Sequence, residues 1–151
     1  MLSADQLESE IRQGIPLAAQ MAFRISELSP NAIRVVGGGG ENINVHGTAF
    51  AGSLYAVATL ALWGLIRARL PDNAILVLAE GNIRYRKPVV GDIRASCEID
   101  VTDMEDFLQR LHSRGRARLD ARVEIAGPQD IAAEYQGTMY AYFEQTGATA
   151  S

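Results

Sequence analysis

The chain has 151 residues, 48% of them hydrophobic and 21% charged, which fits one globular domain with a sizeable core. Its formal charge of −4 excludes nucleic-acid binding through a general basic surface, since phosphate neutralisation demands clustered cations. Cys97 is the only cysteine, so no intrachain disulfide can form, and a cytoplasmic location is expected.

The opening segment, MLSADQLESEIRQG, lacks a basic region followed by an apolar run and does not read as a signal peptide. Ser3 and Gln6 instead form the Ser-x-x-Gln pattern of a capping box, predicting a short amphipathic helix that carries Leu7 and Ile11. After Pro16, MAFRISEL and NAIRVVGG alternate in hydropathy on either side of Ser29-Pro30-Asn31, which predicts a hairpin. The run Gly37 to Gly40 can in principle cradle a phosphate. No Gly-Lys-Ser/Thr follows, however, and Rossmann spacing is absent, so a flexible loop is expected.

From Ala49 to Ile66 eighteen consecutive residues carry no charge, the lower edge of a membrane-spanning length. Gly47, Gly52, Ser53, Thr59 and Gly64 dilute that hydrophobicity. The rest of the chain, from Pro71 onward, reads as antiparallel sheet: a strand to about Lys87, then Ile93 to Asp100, then Ala117 to Ile125, and finally Ile131 to Phe143. Alternating strands have a dry face that something must cover, and only the charge-free segment is long and apolar enough. We therefore expect a curved antiparallel sheet wrapped around a long central helix, an α+β fold in one domain spanning residues 1–151, with 145–151 a frayed tail. Trp63 is expected to plug the core, and Arg67 and Arg69 to sit at the helix C-terminus, where cations meet the negative end of the dipole.

These elements, taken with NVHGTAFAGSLYAVATLALWGL and GNIRYRKPVVGD, resemble the hotdog fold of acyl-thioester enzymes over nearly the whole chain. A common signature there is Asn, then a His-Gly-Gly whose second Gly lies eight residues on, then an acidic residue seven further. Asn44 and Gly52 match that spacing, but Phe50 replaces the His and Thr59 the acid. More specifically, the first string resembles the YiiD C-terminal type, labelled as thioesterases and including stand-alone malonyl-acyl-carrier-protein decarboxylases. The resemblance implies a dimer acting on a thioester of acyl carrier protein or CoA. It implies no cofactor beyond the phosphopantetheine carried by the substrate, and no metal, nucleic acid or membrane.

Hydrolysis needs an activated water, held either by Asn44 and Thr59 or by His46, a candidate base two residues after Asn44. Decarboxylation of a malonyl thioester needs chiefly hydrogen-bond donors aimed at the thioester oxygen, where the enolate charge collects. The Asn44 amide and the Gly52 N–H are the expected donors, with Thr48, Ser53 or Thr59 orienting the carboxylate and Phe50, Leu54 and Tyr55 forming apolar walls. Blander roles exist: Thr48 can cap the helix, and Ser53 and Thr59 can bond back to carbonyls. Arg84 and Arg86, on one face of one strand, are expected to meet an acidic carrier or a phosphate, with Arg114, Arg116 and Arg118 a second basic cluster. Cys97 falls on the apolar face and reads as packing. Decarboxylation leads, hydrolysis is the alternative, and a non-catalytic thioester-binding module is the third reading.

Overall fold

The computed structural model describes residues 1–144; the expected frayed tail lies outside them. The first helix, α1 (Ala4–Gly14), opens with the reciprocal capping box of Ser3 and Gln6 and buries Leu7 and Ile11. A single turn of helix not expected from the sequence, α2 (Pro16–Gln20), follows, with Pro at its first position, where the missing N–H costs nothing. The hairpin is present as β1 (Phe23–Leu28) and β2 (Ala32–Gly37). At the β1 bulge, the Ile25 N–H donates to Glu8 Oε1 at 2.7 Å, so α1 satisfies an edge donor the sheet leaves free.

The charge-free segment forms α3 (Ala51–Arg67), in which Val57, Ala58, Ala61, Leu62, Leu65 and Ile66 are fully buried. Among the described residues no helix is long and apolar enough to cross a membrane. Around α3 curve β3 (Ala74–Tyr85), β4 (Ile93–Glu98), β5 (Arg116–Ala126) and β6 (Ile131–Phe143), completing a six-stranded antiparallel sheet in the order β1-β2-β4-β5-β6-β3. Small side chains let this happen. Gly37 lies where a Cβ would come within 2.8 Å of Val57 Cγ2, and Gly137 where one would meet Leu62 Cδ2 at 2.8 Å.

The expectation that everything after Pro71 is sheet is wrong for residues 101–114, which form α4 (Val101–Arg114). Asp100 caps it through the Thr102 N–H at 2.8 Å, Met104, Phe107 and Leu111 repeat at helical spacing on its buried face, and Gly115 ends it in the left-handed conformation at φ 77°. Two boundaries also move. The helix starts at Ala51 rather than Ala49, and β3 ends at Tyr85, so Arg86 lies beyond the strand, where its N–H and that of Lys87 both donate to Ala132 O. Trp63 is half-buried rather than a plug, its indole N–H donating to Leu76 O at 3.0 Å. Arg67 sits in the last turn of α3, paired with Glu10 at 2.9 Å.

Candidate functional site

Between β2 and α3 the chain builds a small anchored structure. The glycine run expected as a flexible loop is held where it enters its turn: Gly38 N–H donates to Met21 O at 3.1 Å and Gly39 N–H to Asp92 Oδ1 at 2.9 Å. Asn42, only 3% exposed, donates from its amide to Met21 O and Gly38 O at 2.8 and 2.5 Å. A buried amide with both hydrogens matched fixes the start of the next segment.

That segment folds back on itself. Phe50 N–H donates to Asn42 O at 2.7 Å and Asn44 N–H to Thr48 O at 2.8 Å, with Gly47 at φ 78° making the reversal. Asn44 organises the interior: its amide nitrogen donates to Thr48 Oγ1 at 2.9 Å and Ala49 O at 3.3 Å, and its Oδ1 accepts from the N–H groups of His46 and Thr48 at 2.8 and 3.2 Å. Both amide hydrogens expected at a thioester oxygen are thus engaged inside the loop. Thr48 does not cap α3 but bonds to Asn44; the N-cap residue is Phe50, which gives no side-chain bond. His46 is exposed, and among the described residues its ring has no hydrogen-bond partner.

The uncapped first turn leaves the N–H groups of Ala51, Gly52 and Ser53 without acceptors among the described residues, at the positive end of a 17-residue helix. Ala49 N–H donates to Val89 O at 2.8 Å, and Tyr85 Oη donates to Ala51 O at 2.8 Å, so the end of β3 and its connector lie against this turn. Phe50, 53% exposed, folds its ring over Gly52, where a Cβ would lie 2.5 Å from Phe50 Cε2. With Ile43, Val45 and Val90 also exposed, the helix N-terminus has an uncovered apolar rim.

Thr59 is not at this turn. Seven residues of helix put it roughly 10 Å from Gly52. It belongs instead to a hydroxyl cluster on the side of α3 facing β3 and β6. Thr59 Oγ1 bridges Tyr55 O at 2.9 Å and the Tyr135 hydroxyl at 3.0 Å, and the rings of Tyr55 and Tyr135 meet edge to face at 5.2 Å. Burial pushes the Tyr135 phenol up to about 12, against the lowering effect of its bond with Thr59, so it remains a neutral donor at any physiological pH. Room for the cluster comes from Gly81, where a Cβ would stand 2.1 Å from Tyr55 Oη and 3.1 Å from Tyr135 Oη. Desolvation, then the nearby Tyr55, raises the Tyr85 phenol as well.

The structure therefore brings Asn44, Thr48, Phe50, Gly52 and Ser53 together and places Tyr55 beside them. It separates Thr59 from the first turn and leaves His46 outside. Arg84 is exposed without an ion pair among the described residues, whereas Arg86 is paired with Glu134 at 2.8 Å. Glu134 also holds Arg122, and these arginines keep its carboxyl below the ordinary carboxylate range. Asn42, Tyr85, Gly81 and Tyr135 were not singled out from sequence. Only the first carried a local signal, as a polar residue closing a glycine run; the others depend on strand register. Cys97 is buried on the apolar face, and burial, with Glu98 adjacent, pushes its thiol up to about 12. Among the described residues no group of three or more His, Cys, Asp or Glu side chains could hold a metal.

The fold recurs in known structures. A Chlorobaculum tepidum protein of unknown function superposes with a TM-score of 0.84 at 26% identity, covering 95% of this chain and 98% of its own. A Shewanella oneidensis protein described as a "putative thioesterase" superposes at 0.80 with 26% identity, covering 93% of this chain and 97% of its own. A Pseudomonas aeruginosa protein described as a "Probable Thioesterase" shares the fold at 0.83 with 21% identity, over 95% of this chain and 97% of its own. Residues 4–143 match the family described as "Putative thioesterase (yiiD_Cterm)", and the chain, a hotdog-fold protein, belongs to it.

Proposed function

We propose that the chain decarboxylates a malonyl thioester, with acyl carrier protein as the favoured carrier, and releases the acetyl thioester. The observation that carries this reading is a site rich in donors and poor in bases. Three N–H groups at the first turn of α3 are unpartnered among the described residues, while the positions of the usual ionisable groups hold Phe50 and Thr59. The carbon–carbon bond to the carboxylate breaks, carbon dioxide leaves, and the electron pair moves into an enolate whose charge rests on the thioester oxygen. The N–H groups of Gly52 and Ser53 stabilise that oxygen, and the enolate carbon then takes a proton from water. Asn44 serves as a positioning residue: its four hydrogen bonds shape the loop that presents the turn. The exposed side chains of Phe50, Ile43 and Val45 give the bound thioester an apolar border beside the departing carboxylate.

Hydrolysis is the second reading, favoured by the description of the family itself. Here a water near the same turn attacks the thioester carbon and the thiol departs with a proton, His46 being the nearest candidate base. In either case the working form is a cytoplasmic homodimer. Its support is the 12-residue β3, which ends the sheet with one edge unpaired among the described residues and offers a second copy an antiparallel partner. Incubation of the purified protein with malonyl- and acyl-loaded carrier protein, read by mass spectrometry, separates the readings. Acetyl-carrier protein supports decarboxylation, free carrier thiol with released acid supports hydrolysis, and binding without turnover leaves only a thioester-binding module.

A further inference from the structure

The outer face of the sheet is divided by charge along its strands. At one end, Arg122 and Arg86 share Glu134, and in the middle Asp120 accepts the Thr138 hydroxyl at 2.6 Å. At the other end stand Arg110 and Arg114 of α4 and Arg116 and Arg118 of β5, none in an ion pair among the described residues. Four cations gathered without an ion-paired acid among the described residues repel one another, in a chain whose net charge is −4. Among the described residues, Glu144 is the one acid that lines the groove.

This end is also built rather than merely solvated. Arg118 lies over the Tyr140 ring at 5.5 Å, Tyr140 stacks on Tyr142 at 5.5 Å, and Arg110 donates to Arg118 O at 3.1 Å. Strand register extends the surface into two rows, Arg116–Tyr142–Ile75 and Arg118–Tyr140–Val77, which grade from cation through tyrosine to aliphatic at the β3 edge. Val77 is 42% exposed. Guanidinium forks held in place beside tyrosines and an apolar strip are the composition of a protein-docking surface, not of an arbitrary wet face. The groove is broad and open, and the remaining negative charge of the chain opposes a long polyanion such as nucleic acid.

We infer that this surface docks an acidic protein, the carrier that delivers the thioester, with the arginines meeting its carboxylates and Ile75 and Val77 its apolar side chains. The inference rests on the thioester reading of the site. The arginine end lies where β3 begins, whereas the first turn of α3 lies where β3 ends, beside Tyr85. Antiparallel pairing of two β3 edges lays the start of one strand against the end of the other. The docking surface of one protomer then stands beside the site of its partner, and the two-fold repeats the arrangement.

The test compares the intact protein with the triple variant Arg114→Gln, Arg116→Gln, Arg118→Gln on malonyl-carrier protein, malonyl-CoA and malonyl-pantetheine. We expect kcat/KM to fall about tenfold or more on the carrier-linked substrate alone, chiefly through KM, and the wild-type value on that substrate to fall steeply with salt. Retention of the arginine charge in the matching triple Lys variant restores part of the loss. An equal fall on all three substrates, no fall on the carrier-linked one, or a fall confined to malonyl-CoA overturns the inference. If the wild-type protein turns over none of the three, the thioester reading fails on its own. Titration of the carrier protein by calorimetry then still decides the surface: binding weakened about tenfold in the triple Gln variant supports it, and binding equal in both proteins, or absent, removes it.

Discussion

Thr59 Oγ1 lies 3.0 Å from the hydroxyl of Tyr135, linking the middle of the buried helix to β6. The Thr59 hydroxyl has one hydrogen to share between two acceptors, the Tyr55 carbonyl and the Tyr135 phenol oxygen. Thr59→Val keeps the shape and takes this partner from a buried phenol, which costs about 1–3 kcal/mol. Tyr135→Phe removes the phenol oxygen itself. Because the two changes delete one interaction, the double variant should lose less than the sum of the single losses in urea denaturation. Additive losses would show that the bond contributes nothing to the fold.

Gly81 and Tyr55 form a second coupled pair. Gly81→Ala sets a Cβ 2.1 Å from Tyr55 Oη, a contact that the ring must relieve by moving. We expect this variant to lose about 1–3 kcal/mol, the ordinary cost of overpacking, and Tyr55→Phe to restore most of it by deleting the clashing oxygen. The melting temperatures of the two single variants and the double variant measure this. A double variant no more stable than Gly81→Ala would place the strain elsewhere.

Asn42 is the buried polar anchor of the site. Asn42→Ala leaves Met21 O and Gly38 O without the amide, at a cost of about 2–3 kcal/mol, and lowers Tm by roughly 5–10 °C. Loss of the anchor also loosens the loop, so hydrogen exchange at Asn44 and Phe50 should speed up more than exchange in β5. Unchanged exchange at those positions would mean the loop is held by its own bonds alone.

Asn44→Ala separates positioning from stability. The loop is half exposed, so its four lost bonds should change Tm by no more than a few degrees, yet turnover should fall about 100-fold because the first turn is no longer presented correctly. Wild-type kcat in this variant would remove the loop from the site.

Alkaline pH gives a separate readout. An acid whose pKa rises on folding keeps its proton in the native state after the unfolded chain has released it, so stability falls as pH rises between the two values. Cys97 opens this fall near pH 9 and Tyr135 adds to it above pH 10, both continuing to about 12. We expect Tm to decline from pH 9 upward, and Tyr135→Phe to flatten the decline above pH 10 while leaving it between 9 and 10. A Tm constant from pH 8 to 11 would contradict the burial of both groups. Ellman's reagent at pH 8 should likewise label Cys97 only as the protein unfolds.

Much of the architecture is legible in one dimension because it follows from period and polarity. The Ser3–Gln6 box, the β1–β2 hairpin, the charge-free helix and the alternation of β4, β5 and β6 each depend on neighbours within a few residues. The α4 segment carried its own helical repeat of Met104, Phe107 and Leu111, capped by Asp100 and closed by Gly115, and was obscured by the strands on either side. Thr59 was grouped with Asn44 and Gly52 by family spacing, but helical rise separates it from them and hands it to Tyr135, 76 residues away.

Composition and patterning by themselves determined that a sheet must wrap an uncharged helix, and the hotdog resemblance added that Phe50 and Thr59 stand where that superfamily's usual ionisable groups lie. They could not determine what each polar side chain touches, because a hydrogen bond depends on angles and register set by distant strands. Only the tertiary structure turned Asn44 inward to its own loop, left three N–H groups of α3 without acceptors among the described residues, and aligned Arg116 and Arg118 with Tyr142 and Tyr140. Local sequence sets which groups exist; the folded sheet, by bringing residues tens of positions apart to within 3 Å, decides which remain free for chemistry.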